Sequence, residues 1–245
     1  MSVRTAALVP AYDAAGSIAA VVGGTRSMLP TVVVVDDGSA DDTAARAASA
    51  GAEVLRHAEN RGKGAALVTG LRHLAAAGVE RALTLDADGQ HLPDQIPVLL
   101  AAADAAPGAI VVGVRRKERF AVKRAARFGN WIADRLMRGI AGRPLPDTQS
   151  GFRVYPVGAT LALGTRGTRY DFETEVLLRA ARAGMAVHGV PVEVYYPPVA
   201  ERVSHYRPWA DTLRIIRSVV RVIVAGDARS GGSCARPRAS AKDAP

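Results

Sequence analysis

Five short runs of apolar residues constrain this chain most: 5-TAALV-9, 31-TVVVVDD-37, 52-AEVLRH-57, 80-ERALTLDAD-88 and 108-GAIVVGV-114. They are rich in Val and Leu and do not alternate polar with apolar residues. A strand wetted on one face would alternate, so these read as strands buried on both faces. The Ala- and Leu-rich segments between them (15–28, 40–50, 63–77 and 93–105) are long enough for helices. Ser39 or Asp41 suits the cap of the second helix, and Pro93 suits the first turn of the fourth. Strand and helix in alternation build βαβ units, hence an α/β fold with a mostly parallel sheet and helices on both faces. Ligands of such sheets bind beyond the carboxyl ends of the strands, so those ends are where chemistry is expected.

The chain has 245 residues, 49% of them hydrophobic, enough for one large domain with a substantial core. Cys234 is the single cysteine, which excludes a disulfide framework or a cysteine-built zinc site and fits a reducing compartment. The N-terminal apolar run is too short for a signal peptide, and no run of eighteen apolar residues occurs, so a cytoplasmic location is expected. The net charge of +9 points to an anionic partner: a nucleotide, a nucleic acid or an anionic membrane surface. Aromatic residues are only 5% and no nucleic-acid motif is present, which argues against nucleic acid.

Each strand end carries polar groups. The first, 9-VPAYD-13, lacks the GxGxxG of a dinucleotide turn, and Tyr12 there is suited to meet a planar base. The second, 36-DDGS-39, sets two acids side by side, which repel unless a donor such as a sugar hydroxyl or base N–H satisfies them. Helix capping is the alternative use of Asp37. In 59-ENRGKGAAL-67, Gly62 and Gly64 flank Lys63 at a helix start, a place suited to an anion. The fourth end, 86-DADGQ-90, spaces Asp86, Asp88 and Gln90 two apart, so an extended backbone points them one way. Oxygen ligands of this kind suit Mg²⁺ or Mn²⁺, which keep positions open for water and phosphate. His91 reads as an exposed histidine beside the turn.

Taken in order, VPAYD, VVDDGSADDT, NRGKGAA, LDADGQH and DTQSGFR resemble the family 2 glycosyltransferases of GT-A fold, in particular the polyprenyl-phosphate mannosyl- and glucosyltransferase branch. The resemblance spans about residues 3–200. It implies that Pro10, Tyr12, Asp36 and Asp37 hold the nucleoside of a nucleotide sugar, with Lys63 near the nucleotide. It also implies that Asp86, Asp88 and Gln90 gather a metal and the diphosphate, and it places Ser150 of DTQSGFR among the substrate-binding residues. The family usually has Asn-Glu after the tyrosine. Asp13-Ala14 stands here, so that nucleotide contact is lost or comes from Asp13. Further on, 195-YYPPVAERVSHYRPWADTLRI-215 resembles bacterial members acting on lipid-linked acceptors, with Arg202 and Ser204 as acceptor contacts. The acceptor implied is a polyprenyl phosphate. A hydroxyl of a glycolipid or lipid-anchored pigment is the alternative and a non-catalytic nucleotide-binding module a further one; a nucleotidyltransferase would want a basic glycine-rich loop after the first strand, where VPAYD stands.

Transfer in this family inverts the anomeric carbon. Lys63, Arg115 and Arg127, the last two from an arginine-crowded segment at 115–146, would share the charge of the leaving diphosphate. A phosphate acceptor needs no base; a hydroxyl needs a carboxylate, for which Asp147 is the first choice and Glu173 or Glu175, read as helix-surface acids, the others. The expected division is a catalytic domain at 1–208, an amphipathic helix at 209–226 and a disordered tail at 227–245. Arg214, Arg217 and Arg221 share one face of that helix among Ile and Val residues, suiting it to an anionic bilayer. The whole reads as a peripheral protein on the inner face of the plasma membrane.

Overall fold

The computed structural model of the chain describes residues 3–115, 141–142, 145–195 and 214–224. Seven strands form one sheet: β1 (Thr5–Ala11), β2 (Val32–Asp36), β3 (Glu53–Arg56), β4 (Arg81–Thr84), β5 (Ile110–Arg115), β6 (Arg153–Pro156) and β7 (Val187–Val192), in the order β3-β2-β1-β4-β6-β5-β7. All neighbours pair parallel except β6, which runs antiparallel to both β4 and β5. The helices are α1 (Ile18–Arg26), α2 (Thr43–Ser49), α3 (Lys63–Ala76), α4 (Ile96–Ala105), α5 (Val157–Ala162) and α6 (Asp171–Arg182), with a last one, α7, over residues 214–224.

The valine runs do what their composition dictates. In β1, Ala7 and Val9 face one layer while Ala6 and Leu8 face the other. In β2, Val32 and Val34 join the first layer, Val33 and Val35 the second. The first layer closes with Ile18 and Val22 of α1 and Ile96 and Leu99 of α4. The second closes with Leu67, Leu71 and Leu74 of α3 and Phe172, Val176 and Leu177 of α6. Two-sided burial leaves no wet face on the central strands, as their unbroken apolar pattern requires.

Two expectations change. The fourth strand stops at Thr84, so residues 85–90 lie beyond the ladder, and the chain turns at 87–89. Strand β6 was not anticipated: it is four residues, starts with an arginine and ends with a proline, which reads as loop. Pro10 shows how a proline fits inside this sheet. It pairs with Val35 on the β2 side, while pairing with β4 has ended at Leu8 and Thr84, so no ladder needs its missing N–H.

Candidate active site

Because β1, β2 and β4 run parallel and adjacent, their carboxyl ends bring residues 12–13, 36–39 and 86–90 to one edge of the sheet. At the end of β2 the two acids have different fates. Asp37 is buried and saturated: it accepts from the backbone N–H of Arg61 at 3.0 Å and of Gly62 at 2.6 Å, and its Oδ1 lies 2.6 Å from His57 Nδ1. His57 in turn meets Thr69 Oγ1 at 2.9 Å through its other nitrogen. Asp37 is therefore a brace for the 59–62 loop. Asp36 accepts from the backbone N–H and the hydroxyl of Ser39 through Oδ1. Its buried Oδ2 lies 3.1 Å from Arg56 Nε but makes no hydrogen bond, and the nearby buried Asn60 Oδ1 also lacks one. Buried acceptors are satisfied as a rule; Asp36 Oδ2 has the Arg56 guanidinium beside it, and Asn60 Oδ1 is the acceptor left without a partner among the described residues.

The first strand end is braced to the second. Asp13 holds φ of +46°, the one non-glycine residue in the left-handed region among the described residues, a conformation that Asp tolerates. Its N–H donates to Ser39 Oγ at 2.9 Å and its Oδ1 accepts from Ala40 N–H at 2.9 Å. Asp41 continues the brace, accepting from the N–H of Ala15 and of Thr43 at 3.0 Å each, and so does the capping work at the start of α2. Pro10 is buried, shaping the strand end, and Tyr12 is half-buried beyond it.

The Gly62-Lys63-Gly64 turn corrects the anion-site expectation. Ala65 N–H, at the start of α3, donates to Thr168 O at 2.9 Å. A Cβ at Gly62 would stand 2.5 Å from Thr168 O, and one at Gly64 2.7 Å from Phe172 Cβ. These glycines let residues 167–172 lie against the helix start, so protein and not a phosphate occupies it.

Lys63 leaves that turn toward β4. Its Nζ lies 2.6 Å from Asp86 Oδ1 and 2.8 Å from Glu173 Oε1, with the Tyr170 ring centroid at 5.9 Å. Burial alone would lower the lysine's pKa, but Asp86 and Glu173 outweigh it and hold the ammonium well above its usual range. Burial would likewise raise Asp86, and Lys63 followed by His91 keeps it well below the carboxylate range. Asp86 fits because residue 151 is glycine: a Cβ there would meet both carboxylate oxygens at 2.5 and 2.6 Å. His91 is buried, not exposed as expected. It stacks on Phe152 with centroids 5.1 Å apart and sets Nε2 3.6 Å from Asp86 Oδ2.

Asp88 is the exposed acid of this cluster. The protein behind it, and then the charge of Asp86, push its carboxyl above the ordinary value, opposed by the Gln90 N–H that it accepts at 3.0 Å. Gln90's carbonyl accepts from Tyr195 N–H at 2.9 Å. Among the described residues no three His, Cys, Asp or Glu side chains are set to hold a metal by themselves. A hard divalent ion completed by phosphates and water needs only one or two carboxylates, and an exposed carboxylate raised by its neighbour's charge is relieved by such an ion. The donor set at 86–90 fits Mg²⁺ or Mn²⁺ on that ground.

On the far side, Arg115 at the end of β5 grips Asp147 in a two-pronged pair, Nε to Oδ2 at 2.7 Å and Nη2 to Oδ1 at 3.1 Å. Asp147 also accepts from Gln149 N–H. So held, the Asp147 carboxylate is already engaged, which weakens the ground for choosing it as a base. Ser150 is buried, and its carbonyl accepts from Arg153 Nε at 2.7 Å. Arg153 was missed by sequence reasoning. Wholly buried, it also donates to the carbonyls of Thr148 and Glu173 and to Tyr155 Oη, tying the 148–151 loop to the start of α6. Glu173 and Glu175 are buried, not surface acids. Glu175 accepts from the N–H of Arg166 and Gly167, from Arg179 Nε at 2.6 Å and from Ser218 Oγ of α7 at 3.1 Å. Arg127, Arg202, Ser204 and the 227–245 tail lie outside the described residues.

The chain matches the family model of glycosyl transferase family 2 over residues 7–162. It is 30% identical over 208 residues to an undecaprenyl-phosphate mannosyltransferase of Micrococcus luteus, covering 77% of this chain and 82% of the relative. It is 28% identical to the UDP-N-acetylglucosamine–dolichyl-phosphate N-acetylglucosaminyltransferase of Methanococcus voltae, covering 77% and 84%. Glucosyl-3-phosphoglycerate synthase of Mycobacterium tuberculosis, solved with Mn²⁺, UDP and phosphoglyceric acid, superposes with a TM-score of 0.67 at 21% identity, over 92% of this chain and 78% of that one. The sheet with its one reversed strand is thus a GT-A fold. With the family model spanning β1 to α5, the chain belongs to glycosyl transferase family 2 and is a hexosyltransferase.

Proposed function

We propose that the protein transfers a hexose from a UDP- or GDP-linked donor to a polyprenyl phosphate, with inversion, using Mg²⁺ or Mn²⁺. The observation that carries this is the state of the three carboxylates that sequence offers as a base. Asp147 is paired with Arg115, Glu173 with Lys63, and Glu175 with Arg179 and two N–H groups. A hydroxyl acceptor needs a basic carboxylate within reach; a phosphate arrives ionised and needs none. The names of the Micrococcus and Methanococcus relatives, both polyprenyl-phosphate transferases, support the same acceptor.

In this reading the nucleoside lies at the ends of β1 and β2, where Asp36 Oδ2 and Asn60 Oδ1 lack hydrogen bonds and Tyr12 borders the cleft. Asp37 and Asp13 act behind it, fixing the loops. Asp88, with Asp86 and Gln90, would hold the divalent ion, which neutralises the charge developing on the leaving diphosphate. Lys63 adds a cation beside that position. By motif, Ser150 is assigned to substrate binding and Arg202 and Ser204 to the acceptor, while Arg127 is assigned to the leaving diphosphate.

Helix α7 supports a site at a membrane surface. It is held to the body by Ser218 on Glu175, by Arg182 Nη1 donating to Val222 O at 2.9 Å, and by buried Val222. Its outer side shows Ile216, Val220 and Val224, each at least half exposed, beside exposed Arg214, Arg217 and Arg221. An apolar stripe edged with arginine suits an anionic bilayer. No helix among the described residues is long and apolar enough to cross a membrane, so peripheral attachment on the cytoplasmic face is the arrangement proposed.

The test is a donor panel of UDP- and GDP-hexoses with undecaprenyl phosphate, run with Mg²⁺, with Mn²⁺ and with chelator. One donor should give a lipid-linked, metal-dependent product. Absence of product with every donor, or product undiminished by chelator, contradicts the proposal.

A further inference from the structure

Lys63 joins the strand end carrying Asp86 to the start of α6 carrying Glu173. Its ammonium touches two carboxylates where one would balance its charge, and a third, Asp88, stands next to Asp86. If only charge balance were needed, Asp86 and Lys63 would suffice. Glu173, buried and reaching the ammonium at 2.8 Å, is then a second buried carboxylate whose own desolvation must be offset. That arrangement makes sense when Asp86 has another partner part of the time.

A divalent ion beside Asp86 and Asp88 would supply that partner. It would also repel an ammonium 2.6 Å from Asp86. Around the ammonium, Asp88 lies at the rim, His91 contacts Asp86, the ring of Tyr170 lies under it, and Tyr155, held by Arg153, stands on the far side of Glu173. Among the described residues, Glu173 is the carboxylate that can keep the lysine when Asp86 is given to a metal.

We propose that Lys63 is an exchangeable counter-ion of Asp86, and that Glu173 is the positioning residue retaining it when metal and diphosphate enter. In the resting chain the ammonium stands in for the metal at Asp86. On loading, it turns about its Glu173 contact and meets a diphosphate oxygen. Empty, the cluster is neutralised and ordered; filled, the same lysine serves the leaving group. The inference rests on the metal-and-nucleotide reading above and adds a competition to it.

Competition has a signature that a structural role lacks. Lys63→Met removes the competitor, so Mn²⁺ alone should bind on the order of tenfold tighter, while UDP or GDP in the presence of Mn²⁺ should bind on the order of tenfold weaker. Glu173→Gln leaves Lys63 committed to Asp86, so Mn²⁺ alone should bind about threefold weaker. In the double variant the Glu173→Gln effect should vanish, because it acts through Lys63. Mn²⁺ binding is read by electron paramagnetic resonance of the free ion and nucleotide binding by calorimetry, on the full chain without turnover. Thermal unfolding identifies a variant that fails to fold, and Lys63→Gln then replaces Lys63→Met. Weaker or unchanged Mn²⁺ binding without Lys63 overturns the inference. Failure of the unaltered chain to bind nucleotide with Mn²⁺ would instead overturn the underlying reading.

Discussion

The ends of β2 and β4 each carry a pair of acids, and the fold treats the two pairs alike up to a point. At β2, Asp37 is spent on the loop that follows β3, and Asp36 keeps a buried oxygen without a hydrogen bond. At β4, Asp86 is spent on Lys63 and His91, and Asp88 stands exposed. In each pair one acid is spent on bracing protein; the other is Asp36, buried between Ser39 and Arg56, at β2 and the exposed Asp88 at β4. The partners differ in kind. Asp37 is held by two backbone N–H groups and a buried histidine, which cannot leave without opening the loop. Asp86 is held by a lysine on a flexible stem, which can. On the proposed reading, the β2 end is a fixed frame for the base and the β4 end an exchangeable site for metal and phosphate.

The sharpest way to break this comparison is to exchange its terms by mutation. Asp88→Ala should lower transfer on the order of 10³-fold while leaving the unfolding midpoint unchanged, since Asp88 holds only its own turn. Activity within tenfold of the unaltered protein would remove Asp88 from the metal. Asp37→Ala should do the reverse. It strands two N–H groups and a buried histidine, so urea denaturation should show a loss of about 3 kcal/mol. A loss under about 1 kcal/mol would mean the β2 end is not a frame. Gly151→Ala sharpens the β4 side: its Cβ would press on the Asp86 carboxylate, and about tenfold lower activity with about 1–2 kcal/mol of destabilisation is expected in paired assays. The smallest effect is remote from both ends. Ile216→Ser with Val220→Ser should weaken binding to phosphatidylglycerol vesicles roughly tenfold in sedimentation, with no change in nucleotide affinity. Undiminished vesicle binding would exclude the outer stripe of α7.

The half of the molecule that reads well in sequence is the half built by local pattern. Runs such as 32-VVVV-35 have one physical outcome in a chain of this length, and three neighbouring parallel strands place 12–13, 36–37 and 86–88 together. The misread half is built by distant partners. Glu173 and Glu175 look like surface acids on a helix, and only Lys63, Arg166, Gly167 and Ser218 make them buried ones. Gly62 and Gly64 look like an anion loop, and only residues 167–172 show what they make room for. Arg153 hides β6, because a charged residue at the head of a four-residue strand argues against burial until four neutral acceptors are found around it. The even spacing of Asp86, Asp88 and Gln90 suggested a shared strand edge; the turn at 87–89 brings the acids together by another route.

The central claim is that the three candidate bases, Asp147, Glu173 and Glu175, are already engaged, which favours an acceptor that brings its own charge. The direct measurement is a head-to-head assay of undecaprenyl phosphate against undecaprenol, with the active donor and Mn²⁺, following radiolabelled sugar into lipid. The account predicts a product cleaved by mild acid from the phosphate and no detectable transfer to the alcohol. Transfer to undecaprenol at a comparable rate, lost in Asp147→Asn, would contradict it and return Asp147 to the role of base.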